Sequence, residues 1–231
     1  MFNQLRAEAE KLRTTQMAYG LTAILIVCVI AFTALRSLSG DAVGLRELSA
    51  IELPRGVAPY FAIVLGILVV TTDFRFRTIT WSYLNEPRRI RVMAAKLIIS
   101  SLAGLVLGIL AVGLALVIAA VFGDAPRLGI ELAGTTARIG VVCAIYAALG
   151  VAIGALTRNQ VGALSIAVLG LPVGENLLGV AVPSLFLPTG AASVLEGLGS
   201  TPPWQGALVL LCYVTVTGAV AARLVLIRDL T

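Results

Sequence analysis

Long apolar runs alternate with short polar breaks along this chain, and one of those breaks is far more polar than the rest. A hydrocarbon layer of about 30 Å is crossed by about 20 residues of helix, so each apolar run is measured against that length. The pattern predicts six spans. They cover about Tyr19–Leu35, Val57–Thr72, Leu97–Phe122, Leu132–Leu156, a fifth beginning near Val161, and Trp204–Ile227. The second is short and contains Pro59, which predicts an irregular outer end. The polar break runs from Asp73 to Lys96 and reads DFRFRTITWSYLNEPRRIRVMAAK. Flanked by apolar runs, it is expected in water or at a membrane surface.

Shorter signals organise the ends and turns. Ahead of the first span, Phe2, Leu5, Ala9 and Leu12 recur at near-helical spacing, and Arg6 and Glu10 form an i,i+4 pair of opposite charge. Residues 1–18 therefore read as an amphipathic helix suited to lying along the headgroups. Gly123-Asp-Ala-Pro126 and Thr157-Arg-Asn-Gln160 read as tight turns. After the fifth span, residues 183–203 are rich in Pro and Gly and cannot form a straight helix in lipid, which predicts an outer loop that dips back against protein.

Composition agrees with a membrane protein: 59% of the residues are hydrophobic, only 13% are charged, and mean hydropathy is +1.01. The net charge of +5 is then explained by loops facing anionic lipid, not by nucleic acid. Its distribution gives an orientation. With both termini on the basic side, that side holds Arg6, Lys11, Arg13, the six cations of the polar break, Arg158, Arg223 and Arg228. The opposite side holds only Arg36, Arg46, Arg55, Arg127 and Arg138, so the termini and the 73–96 loop are expected in the cytoplasm.

Candidate chemistry is sparse. No histidine is present, which excludes His-based triads and His metal sites. Cys28, Cys143 and Cys212 lie singly in apolar runs and read as small buried residues. Gly104/Gly108, Gly150/Gly154 and Gly170/Gly174 each give a GxxxG spacing that permits close helix approach. Glu175 and Asn176 interrupt the fifth span beyond Pro172, and a carboxylate at that depth needs an explanation. At a rise of about 1.5 Å per residue, Glu175 and Arg138 both fall roughly 9 Å below the outer boundary. Their equal depth predicts an ion pair between the fourth and fifth spans. A polar exit-path lining is one alternative; simple exposure beyond Pro172 is the other.

Two segments resemble permeases of the bacterial ABC-2 export family. One is Glu8-Ala-Glu-Lys11-Leu12-Arg13-Thr14-Thr15. The other is Asp73-Phe-Arg75-Phe-Arg77-Thr78 followed by Pro87-Arg88-Arg89 and Lys96, with Asp73 where the family usually has Glu and Arg77 where it has Gly. The resemblance implies one membrane domain over residues 1–231, all-α with six spans, working as a permease dimer in the bacterial cytoplasmic membrane. It also implies that the 73–96 loop couples to a separate ATPase subunit through Asp73, Arg75, Arg77, Thr78, Trp81, Tyr83, Pro87, Arg88, Arg89 and Arg91. ATP and Mg would belong to that partner, since this chain carries no GxxxxGK[ST] loop. A secondary carrier is the alternative reading from another class.

Overall fold

The computed structural model describes residues 2–38, 46–76, 89–121, 129–198 and 200–227. Among these residues the chain is predominantly helical, without strands. The elements are α1 (Phe2–Thr14), α2 (Gln16–Leu38), α3 (Arg46–Arg75), α4 (Arg89–Val121), α5 (Ile130–Thr157), α6 (Gln160–Ser165), α7 (Leu171–Leu178), α8 (Pro188–Leu195) and α9 (Pro203–Ile227). A single π-turn, Ile166–Gly170, joins α6 to α7, so the two act as one span. Six spans are long and apolar enough to cross a bilayer: Gln16–Leu35, Ile51–Arg75, Arg91–Val121, Ile130–Thr157, Gln160–Leu178 and Pro203–Arg223.

α5 is the centre of the bundle. It packs most extensively on α3 and α4 and then on α9, and 78% of its most apolar window is buried, against 11% for the α6–α7 span. Lipid tails are as apolar as leucine, so helices associate in a bilayer chiefly by close packing, and small residues set where they can meet. A Cβ on Gly66 of α3 would overlap the Ala147 carbonyl, and one on Gly150 of α5 would overlap the Ile63 carbonyl. The two glycines thus let the α3 and α5 backbones touch. On the other side of α5, a Cβ on Gly108 of α4 would come within 2.8 Å of Cys143 Sγ. Two of the three GxxxG spacings are therefore contacts within this chain, while Gly174 of the third has nothing beside it.

Several expectations change. α3 continues unbroken through Pro54 and Pro59, both buried, so the second span is longer than its proline suggested and its outer end is regular. Packing against α4 and α5 accompanies its continuation as helix despite the missing N–H groups. The fifth span runs on through Pro172 to Leu178, so the alternative in which the chain turns out at Pro172 does not hold. The Leu171 N–H donates to the Ile166 carbonyl in the wider π pattern, and α7 follows with Pro172 in its first turn, where an N–H is not needed. Cys143 is buried, but Cys212 is exposed on α9.

The Thr157–Gln160 turn is as tight as expected. Arg158 takes a left-handed conformation (φ 50°), and the Asn159 side chain caps α6 by accepting from the Val161 N–H at 3.0 Å. The 183–203 segment folds as a 3₁₀ turn at Ser184–Phe186 followed by α8, which packs on α9 and α5. Tyr213 of α9 fixes the turn by donating to the Phe186 carbonyl at 2.9 Å.

Candidate functional site

The two helices that flank the polar break, together with α1, converge on a buried charge cluster. Lys96, in the second turn of α4, is 1% exposed. Its ammonium donates to Glu8 of α1 at 2.7 Å and to Asp73 near the end of α3. Lys11 joins from α1, 3.0 Å from Glu8 and 3.6 Å from Asp73. Two carboxylates and two ammonium groups balance, which is what permits charges to be buried at all. Burial works against the charge on Lys11, but the hydrogen bond and charge of Glu8 and the charge of Asp73 outweigh it, holding the ammonium above the usual lysine range.

Local sequence explains the convergence. Glu8 lies on the inward side of α1 with Leu5 and Leu12, whereas Arg6 and Glu10 pair at 3.4 Å in solvent. The α1–α2 junction at Thr15 is stabilised by local bonds. Thr14 and Thr15 donate to the Glu10 and Lys11 carbonyls at 2.9 and 2.6 Å, and Tyr19 donates to the Arg13 carbonyl at 2.6 Å. Those bonds satisfy carbonyls that the end of α1 leaves open.

Next to this cluster, the tip of α3 meets the α5–α6 turn. Arg75 Nη1 donates to Gln160 Oε1 at 3.3 Å, and the Arg158 guanidinium sits 5.6 Å from the Phe74 ring. The polar break is thus rooted at both ends. Its first and last residues are not in water, as the sequence pattern predicted, but belong to helices and are buried together. Arg75 and Arg91 are exposed, and Arg89 begins α4. Arg77, Thr78, Trp81, Tyr83, Pro87 and Arg88 lie outside the described residues.

The opposite end of the bundle holds a second polar group, arranged differently from the expected Arg138–Glu175 pair. Glu175 instead accepts from the N–H of Thr189 at 3.1 Å and from its hydroxyl, so it caps the N-terminus of α8. Asn176 donates to the Pro172 carbonyl one turn back, at 2.8 Å, and is exposed. Arg138 lies against Gly197, whose φ of +87° turns the chain out of α8. Equal depth holds for two straight helices, but the start of α8 supplies donors to Glu175, and Arg138 lies beside Gly197 just past the other end of α8.

An ion pair at this end joins Arg55 to Glu196, with Nε 2.8 Å from Oε2. The Arg55 N–H does not point along that line as a hydrogen bond would, so the attraction is chiefly Coulombic. Glu196 is 2% exposed at the C-terminal end of α8, where helix carbonyls already gather negative charge. Burial pushes its carboxyl up to about 7, against the opposing pull of Arg55. Neither residue was singled out from the sequence; an acid inside the Pro/Gly-rich segment was the only available signal.

Compared with known protein families and with curated proteins, the chain matches neither. What stands established is its class: among the described residues, a helical chain without strands, with six helices suited to crossing a membrane.

Proposed function

We propose that this chain is the membrane subunit of an ATP-driven exporter of the ABC-2 type, coupled through residues 73–96 to a separate ATPase. One observation carries the reading: the Glu8–Lys96–Asp73 cluster ties both roots of the basic loop to each other and to α1. A push on the loop would then reach α3 and α4 together, and through them α5, instead of being lost in a slack connection. The arginines, Trp81 and Tyr83 supply the side chains expected of a docking surface. Such a subunit would work as a permease dimer in a bacterial cytoplasmic membrane, with the loop and both termini inside.

The test is co-expression with a nucleotide-binding ATPase subunit. The two should co-purify and hydrolyse ATP, and Arg88→Glu, Arg89→Glu and Arg91→Glu together should release the ATPase. Co-purification unchanged by the triple variant would remove the loop from the coupling role. Labelling of Ser82→Cys by an impermeant thiol reagent outside intact cells would reverse the orientation.

One observation favours a proton-coupled carrier as the second reading: the Glu196 carboxyl titrates near neutrality beside Arg55. Uptake into ATP-free vesicles driven by a pH gradient alone would support it over the first.

A further inference from the structure

The tip of α3 and the α5–α6 turn enclose an open cavity of about 560 Å³. Arg75, Arg158, Asn159 and Gln160 form its polar side, and Val161 and Leu164 continue it as an apolar side. Among the described residues no carboxylate lines it. Asp73, the acid nearest in sequence, faces α1 and α4 instead, where Lys11 and Lys96 hold it. Arg75 is exposed, and among the described residues its partners are uncharged: the Gln160 side-chain oxygen at 3.3 Å and the Phe76 ring. Arg158 enters from the left-handed turn position, with its guanidinium 5.6 Å from the Phe74 ring. The carbonyl ends of α3 and α5 bring about half a negative charge each, and two guanidiniums outweigh them. Three spans terminate at this level: Ile51–Arg75 and Ile130–Thr157 end, and Gln160–Leu178 begins. The polar side therefore lies at the depth of headgroups. Val161, below it, is 72% exposed on the least buried of the six spans, so the apolar side opens towards lipid.

We infer that this cavity binds the phosphate of an anionic phospholipid, whose acyl chain lies along Val161 and Leu164. A guanidinium presents its N–H groups as a fork that matches two phosphate oxygens, and such charge-assisted bonds are about twice as strong as neutral ones. Asn159 uses its side-chain oxygen to accept from the Val161 N–H, which leaves its NH₂ group as a further donor. A lipid with net negative charge is preferred to phosphatidylcholine, which carries its own ammonium. A phosphate held by Arg75 and Arg158 together would strengthen the link between α3 and the α5–α6 turn that Arg75 and Gln160 begin. Occupancy would then set how firmly one root of the basic loop is fastened to α5.

This goes beyond the transport reading and does not depend on it, and its test needs no ATPase. Phosphatidylglycerol carrying a diazirine near the carboxyl end of one acyl chain is photolysed with the purified chain in phosphatidylcholine nanodiscs. Adducts should concentrate on residues 161–164, and unlabelled phosphatidylglycerol should compete them away. Diacylglycerol, lacking the phosphate, should not, and neither should millimolar glycerol 3-phosphate, lacking the hydrocarbon. Arg75→Gln with Arg158→Gln should lower these adducts at least about fivefold, while Arg138→Gln at the opposite end should leave them. Adducts spread evenly over exposed positions such as Leu208 and Val216 overturn the site. Equal competition by diacylglycerol overturns the phosphate contact, and displacement by glycerol 3-phosphate overturns the lipid as its source. These three results come from the wild-type chain even where the double variant does not fold; undiminished adducts on a folded double variant overturn the role of the two arginines.

Discussion

Lys96 and Glu8 are 88 positions apart in the chain, yet the ammonium of one lies 2.7 Å from the carboxylate of the other, sealed from solvent. The contact fastens α1 to the start of α4, and Asp73 extends it to the end of α3. A buried charge with two carboxylates around it is costly to leave incomplete. The cluster therefore acts as a single unit whose members stand or fall together.

Replacing Lys96 by Met should accordingly destabilise the chain by about 3–5 kcal/mol, because Glu8 and Asp73 would face each other with only Lys11 between them. Thermal unfolding in detergent measures the loss. Glu8→Gln keeps the shape and one acceptor and should cost less. If Lys96→Met unfolds at the wild-type temperature, the cluster does not hold these helices together.

The α3–α5 crossing makes a prediction of a different kind. Gly66→Val would drive a branched side chain into the Ala147 carbonyl, and backbone cannot move aside as a flexible side chain can. Overpacking at this scale should cost at least about 1–3 kcal/mol. Gly174→Ala, with open space beside it, should change the unfolding temperature little. Equal behaviour of the two variants would mean that the crossing is looser than it stands here.

Much of this architecture was legible as pattern. Six apolar runs became six spans, and the tight Thr157–Gln160 turn and the N-terminal helix fell where spacing placed them. Pro59 misled, since it read as an irregular outer end of the second span, whereas α3 runs on through it packed against neighbouring helices. Polarity misled at Asp73 and Lys96. Each is costly to bury alone, and nothing local reveals that Glu8, far away in sequence, will complete the set. For the same reason the depth argument found Glu175 and Arg138 but missed α8, whose N-terminus is the true partner of Glu175.

That arrangement separates Glu175 from Arg138 experimentally. Glu175→Gln removes the charge from two hydrogen bonds to Thr189 and should destabilise by about 1–3 kcal/mol. Arg138→Gln, at an exposed position, should stay within about 0.5 kcal/mol. The double exchange of Glu175→Arg with Arg138→Glu should be no more stable than Glu175→Arg alone. Recovery in the double exchange would restore the direct pair.

Glu196 gives the chain a pH dependence whose sign follows from its raised carboxyl. Because the folded state holds the proton up to about 7 against an ordinary value of 4.5, the group favours folding fully below pH 4.5. That contribution is lost as pH rises through about 7, where the carboxylate ionises in a buried place against the carbonyl end of α8. Arg55 moderates the loss and lies closest, while Arg138 approaches at Gly197 and Cys143 and Tyr146 of α5 also feel the charge. Wild-type unfolding temperature should therefore decline between pH 5 and 8, by an amount equivalent to at most about 3 kcal/mol. Glu196→Gln, neutral at every pH, should match wild type at pH 5 and show a flatter profile above it. Identical slopes for the two proteins would show that Glu196 is ionised throughout this range and that Arg55 outweighs its burial.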